Sequence, residues 1–136
     1  EITVPEISGI VSDYASVPEV RVKLVELQRE MSKRFNVIMD GRDIGTVVLK
    51  DAPFKFFLTA TPEERANRRF KELKERNIEC EYEVILKDII ERDYKDSHRE
   101  VDPLRKADDA IEVDTTGLNI KEVTEKINSV ISNNIK

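Results

Sequence analysis

The chain has one cysteine, one histidine, four glycines and no apolar run that approaches a bilayer span. Each scarcity removes a class of function. A lone Cys80 cannot close an internal disulfide, which fits a reducing cytoplasm. His98 is the single histidine, so no Cys–His nucleophile pair is suggested and Cys80 reads as incidental. No His or Cys cluster has metal-ligand spacing. The glycines, at 9, 41, 45 and 117, spell neither G-x-x-x-x-G-K-[ST] nor G-x-G-x-x-G, two loops that cradle phosphates. The short apolar runs predict a soluble protein with no membrane partner, and no signal-peptide pattern opens the chain. A basic excess is missing too. Lys and Arg number 23 against 28 Asp and Glu, a net charge of −5. That argues against a general nucleic-acid binder, though not against a local basic pocket for one small anion.

What is present fits one domain over residues 1–136, with 39% hydrophobic and 38% charged residues giving a modest core. The first residue is Glu1 rather than Met, which fits a processed chain or a fragment. Three apolar runs read as strands: Asn36 to Met39, Phe54 to Leu58, and Ala110 to Val113. Their nearly continuous apolar character suits central parallel strands. Thr46 to Leu49 is a weaker fourth candidate.

Helices separate these runs. Ser16-Val17-Pro18-Glu19 reads as a capping box with Pro near the helix start. Val20, Leu24, Leu27 and Met31 then mark one buried helical face. Thr61-Pro62-Glu63-Glu64 repeats the capping logic and opens a helix to about Lys74. Glu81 to about Arg99 reads as another, with Val84, Ile85, Ile89 and Ile90 as its apolar side. Asn119 to Glu122 starts a last helix striped by Ile120, Val123, Ile127, Val130 and Ile131. Strands alternating with helices predict an α/β fold, a parallel sheet flanked by helices. Three strands make a small sheet, so part of a larger one is expected, with an exposed edge that invites self-association.

Three charged constellations could carry chemistry. Gly41-Arg42-Asp43-Ile44-Gly45 follows the first predicted strand, where open α/β sheets bind ligands. Arg42 could fork onto a phosphate and Asp43 could accept from an amino group or hydroxyl. The plain alternative is a turn with a solvated ion pair. Arg92, Asp96 and Arg99 share one face of a helix and could grip a phosphorylated, hydroxylated ligand, or form ordinary surface pairs. Arg65, Arg68 and Arg69 make a basic face that could hold a polyphosphate, or be balanced by Glu63 and Glu64.

Taken in order, the residues resemble a known family. The pieces are Pro18-Glu19-Val20-Arg21, Asp40-Gly41-Arg42-Asp43-Ile44-Gly45-Thr46, Asp51-Ala52-Pro53 and Phe57-Leu58-Thr59-Ala60. Glu63-Glu64-Arg65-Ala66, Glu91-Arg92-Asp93 with Asp96 and Arg99, and Asp114-Thr115-Thr116-Gly117-Leu118 complete them. Nearly the whole chain resembles the C-terminal, larger part of bacterial cytidylate kinases. The resemblance implies a P-loop-type nucleoside monophosphate kinase fold, N-terminally truncated. It implies transfer of the γ-phosphoryl of ATP, with Mg²⁺ as part of the substrate complex, onto CMP or dCMP. Ser12, Arg21 and Asp43 would read the cytosine edge. Arg42 and Arg99 would hold the acceptor phosphate, and Arg92 and Asp96 would contact ribose and phosphates. Arg42, Arg92 and Arg99 would be the catalytic arginines. Arg65, Arg68 and Arg69 would open a lid-like region, residues 65–99, with at least one facing ATP. No metal ligand is implied in this stretch. Phosphoryl transfer needs positioning and charge cancellation rather than a general base, which suits this arginine content. Without a phosphate loop, the 136 residues alone are expected not to catalyse at a normal rate. A non-catalytic nucleotide-binding or interaction module, or a nucleoside monophosphate kinase of other base choice, are the competing expectations.

Overall fold

Pro18 opens the first helix, α1 (Pro18–Arg34), at a position where a missing N–H costs nothing. The computed structural model describes residues 17–98 and 103–135. It divides into two units, Glu1–Lys50 and Asp51–Lys136. In the first unit, Glu19 in the opening turn and Lys33 and Arg34 in the last complement the dipole of α1. The expected capping box is not seen. Val17 holds the N-cap position and makes no side-chain cap bond, and Ser16 lies outside the described residues. The apolar stripe forms but stays exposed: Val20, Leu24, Leu27 and Met31 keep 38–51% of their surface. A stripe on a helix is buried only where enough chain packs on it.

The first predicted strand is corrected. Residues 36–40 take no regular structure, and Ile38 is fully exposed. The weaker candidate is corrected too, because Ile44–Val48 is a single π-helical turn. Its bonds close locally. Val47 N–H donates to the Asp43 carbonyl at 2.8 Å, and Leu49 N–H to the Ile44 carbonyl at 2.7 Å. An apolar run becomes a strand only when a neighbouring strand takes its backbone groups, and a loop that satisfies its own does not need one.

The second unit holds the sheet. β1 (Phe56–Thr59) and β2 (Ile111–Asp114) pair in parallel, Phe56 opposite Ile111 and Thr59 opposite Asp114. Between them run α2 (Pro62–Glu75) and α3 (Tyr82–His98), the helical crossover that parallel pairing requires. After β2 comes α4 (Ile120–Asn134). The caps fall where the sequence places them. The Thr61 hydroxyl accepts from Glu64 N–H at 3.2 Å. Asn119 and Glu122 form a reciprocal capping box, 3.0 Å and 2.7 Å.

The core lies between α2 and α3. Ala66, Leu73 and Ile85 are buried, with Phe70, Ile78, Tyr82, Leu86 and Ile89 packed around them. Phe70 meets Tyr82 edge to face, centroids 6.3 Å apart. Of the four apolar residues expected on α3, Ile85 and Ile89 face this core, while Val84 and Ile90 face outward. The i, i+4 spacing makes that choice. Cys80 sits half-buried against the same cluster as a packing residue.

Chain reversal after α2 is made by Asn77 at φ 55°. Ile78 N–H reaches back to the Leu73 carbonyl and Asn77 N–H to that of Lys74, each at 3.0 Å. This is a Schellman motif, and Ile78 packs against the core that contains Leu73.

Candidate functional site

In the first unit, α1 and the loop after it are joined by two arginines. Arg21 Nη2 donates to Asp43 Oδ2, and both side chains are more than four-fifths buried. Two turns along the helix, Arg29 Nε donates to the Val48 carbonyl at 2.9 Å and its Nη2 to that of Val47 at 2.6 Å. The π-helical turn exposes those carbonyls, and such turns are frequent at functional positions. Arg42 is half-buried in the same loop. Gly41 permits the tight approach to Ile44: a Cβ there would lie 2.9 Å from Ile44 Cγ1. The outcome is an anchored carboxylate and a guanidinium side by side, next to a second guanidinium on the neighbouring residue. That set offers a hydrogen-bond acceptor, planar donors and positive charge within one loop.

In the second unit, the three arginines of α2 go to three different places. Arg65 forks onto Asp93 of α3, Nη1 to Oδ1 at 2.9 Å and Nη2 to Oδ2 at 2.5 Å. The Asp93 hydrogen bonds raise the guanidinium pKa above its ordinary value. Arg65 Nε is buried and has no partner among the described residues. Arg68 turns towards the end of β2, where its guanidinium bonds to Thr115 and Leu118. Arg69 stays on its own helix, 2.8 Å from Glu72, whose carboxyl it holds below the usual range.

An open cleft of about 940 Å³ lies at the carboxyl ends of β1 and β2. Leu58, Thr59, Arg68, Thr115, Leu118 and Val123 are among its walls. Its position is where open α/β sheets bind ligands. Sequence reasoning located Arg68 but not the cleft, because the wall is assembled from β-strand ends and helix starts far apart in the chain.

On α3, Arg92 is exposed and Asp96 is buried. Leu104 N–H donates to the Asp96 carbonyl at 2.8 Å. Ser12 and Arg99 lie outside the described residues. Among the described residues, no group of three His, Cys, Asp or Glu side chains could hold a metal ion. No helix among them is long and apolar enough to cross a membrane. For three contributors the partnership escaped sequence reasoning. Asp93 stands 28 residues from Arg65 and Thr115 stands 47 from Arg68, so neither pair leaves a local signal. Arg29 lay on a helix face that carried no pattern.

Comparison with known proteins gives one consistent result. The family model described as cytidylate kinase matches residues 1–133. A cytidylate kinase of Clostridium perfringens (strain SM101 / Type A) is 69% identical over 128 residues, covering 94% of this chain and 59% of that protein. That of Clostridium acetobutylicum is 62% identical over 135 residues, 99% of this chain and 62% of the relative. That of Clostridium tetani is 58% identical over 135 residues, 99% and 60%. The chain therefore spans about three fifths of the length of the curated relatives it matches.

Proposed function

The chain belongs to the cytidylate kinase family, and from that membership we propose that the protein transfers the γ-phosphoryl group of ATP to CMP or dCMP, giving CDP or dCDP. The observation that carries the reading is the Arg21–Asp43 pair beside Arg42. Cytosine presents an amino donor next to ring acceptors. A fixed carboxylate beside a fixed guanidinium offers the complementary acceptor and donors. Arg42, in the same loop, supplies charge for the acceptor phosphate, and Ser12 completes the base contacts.

In the second unit, Arg92 and Asp96 serve ribose and phosphates, and Arg99 serves the acceptor phosphate. Arg42, Arg92 and Arg99 are the catalytic arginines, and α2 brings at least one of Arg65, Arg68 and Arg69 to the donor. Mg²⁺ enters with ATP as part of the substrate complex. It spreads positive charge over the β- and γ-phosphates, and the arginines of this chain orient the acceptor and cancel charge on the transferred group. A net charge of −5 favours small nucleotides over nucleic acid as partners, in the cytoplasm. The outer edges of a two-stranded sheet, with Leu58 and Ile111 exposed, favour pairing with further chain.

The test is isothermal titration of the chain with CMP, with UMP and AMP as controls, at low salt. CMP-selective binding is expected. Arg42→Ala should weaken it far more than Lys74→Ala, because Lys74 lies over the Phe70 ring on α2. Equal effects, or equal binding of the three nucleotides, would overturn the reading.

A further inference from the structure

Among the described residues, the Arg68 guanidinium makes four hydrogen bonds. Nε donates to Glu64 Oε1 at 2.9 Å. Nη1 donates to Thr115 Oγ1 at 3.1 Å, and Nη2 to the Thr115 carbonyl at 2.5 Å and the Leu118 carbonyl at 3.4 Å. Each guanidinium nitrogen is engaged, in the forked geometry that only arginine offers.

The residue it grips is a junction. Thr115 is buried, 6% exposed. Its hydroxyl accepts from Arg68 and donates to the Thr59 carbonyl at 2.9 Å, while its N–H reaches the same carbonyl at 2.8 Å. The Thr115 carbonyl takes Arg68 on one lone pair and Leu118 N–H, at 3.0 Å, on the other. That second bond closes the turn Thr115-Thr116-Gly117-Leu118, with Gly117 at φ 71°. Thr61 N–H, at the start of α2, donates to Thr116 Oγ1 at 3.3 Å. Arg68 therefore ties three things together: helix α2, the carboxyl ends of both strands, and the turn that leads into α4.

That turn forms part of the wall of the 940 Å³ cleft. We infer that Arg68 is a positioning residue: it fixes the 115–118 turn at the mouth of the cleft and does not itself bind phosphate. The inference rests on the kinase reading for its ligand, a donor nucleotide whose uncharged part lies against this wall.

Two readouts separate positioning from phosphate contact. The first is binding of ATP and of adenosine by the 136-residue chain, unsubstituted and as Arg68→Ala and Arg68→Lys. A positioning role predicts that both variants weaken ATP and adenosine by the same factor, about tenfold. Lysine keeps the charge but cannot span two carbonyls and a hydroxyl, so it should not rescue. Loss confined to ATP, or rescue by lysine, would overturn the inference. The second is amide hydrogen exchange at Leu118, within the clamped turn, and at Thr61, whose N–H donates to it. Exchange there should rise several-fold in Arg68→Ala while the amides of Leu73 and Ile85 stay protected. Unchanged exchange at Leu118 would also overturn it. Should the unsubstituted chain bind neither ligand, the assignment of this wall to a donor nucleotide is overturned, and the exchange result still decides whether Arg68 positions the turn.

Discussion

Arg21 and Asp43 are 22 residues apart in sequence and directly paired, helix to loop, in a surrounding that leaves each side chain about one-sixth exposed. Removing one partner strands the other. Arg21→Ala should lower the stability of the first unit by about 2–4 kcal/mol, a little under the roughly 3–5 kcal/mol for a fully buried pair because each side chain keeps some exposure. It should also abolish discrimination between CMP and UMP. Arg21→Lys should recover part of the stability but not the discrimination, because an ammonium lacks the planar donor set. Thermal unfolding and paired titrations with the two nucleotides measure both effects. Selective binding by Arg21→Ala would remove the pair from base recognition.

The fork between Arg65 and Asp93 joins α2 to α3, and both side chains are more than a third exposed. Solvent screening limits its value. A double-mutant cycle with Arg65→Ala and Asp93→Ala should give a coupling of about 0.5–1 kcal/mol. Leu73→Ala, in the apolar core beside it, should cost about 2–4 kcal/mol. The hairpin is held by its core, and the fork sets how the helices are oriented. A coupling as large as the Leu73 effect would reverse that order.

Acid should weaken the second unit. Thr116 N–H donates to Asp114 at 2.9 Å, and Lys55 donates to both oxygens of Asp109 at 2.9 and 2.7 Å. Each carboxyl is thereby held below its ordinary value, by the backbone bond from Thr116 and by the Lys55 side chain. A depressed carboxylate pKa adds stability above its unfolded value, and that stability is lost as pH falls through the folded value. The unfolding midpoint should therefore be flat between roughly pH 6 and 8 and decline below about pH 4. In the Asp109→Asn, Asp114→Asn double variant the acid limb should be shallower, which a urea titration at several pH values would detect.

Helices and sheet were not equally legible in the sequence. A helix satisfies its own backbone groups, so its signals are local. Thr61 and Asn119 announced two helix starts, and the i, i+4 spacing placed Ile85 and Ile89. A strand depends on a neighbour that sequence does not name. Phe56–Thr59 and Ile111–Asp114 found each other, within two residues of the expected bounds. Asn36 to Met39, with the same apolar look, has no ladder among the described residues. Even a strong helical stripe says only which face is apolar, as the exposed Leu24 and Leu27 demonstrate. The candidate site followed the same rule. Arg42, Asp43 and the α2 arginines could be singled out because charge beside glycine, or charge at helical spacing, is visible locally. Their partners Asp93, Thr115 and the Val47 and Val48 carbonyls could not, since each contact bridges 18 residues or more.

The Schellman motif after α2 gives the sharpest local test of the fold. Asn77 adopts φ 55°, a conformation in which a Cβ crowds the following carbonyl. Asparagine tolerates it better than other side chains, and glycine better still. Asn77→Gly should therefore leave stability unchanged or raise it by up to about 1 kcal/mol, while Asn77→Ala should lower it by about 1 kcal/mol. The motif directs Ile78 back onto the core with Leu73 and sets the path into α3, which carries Asp93, Arg92 and Asp96. The two substitutions alter the backbone preference and touch none of these side chains. Their ranking by thermal unfolding should be Gly at or above Asn, and Asn above Ala. An Ala variant as stable as the parent would mean that the chain reverses between α2 and α3 by another route.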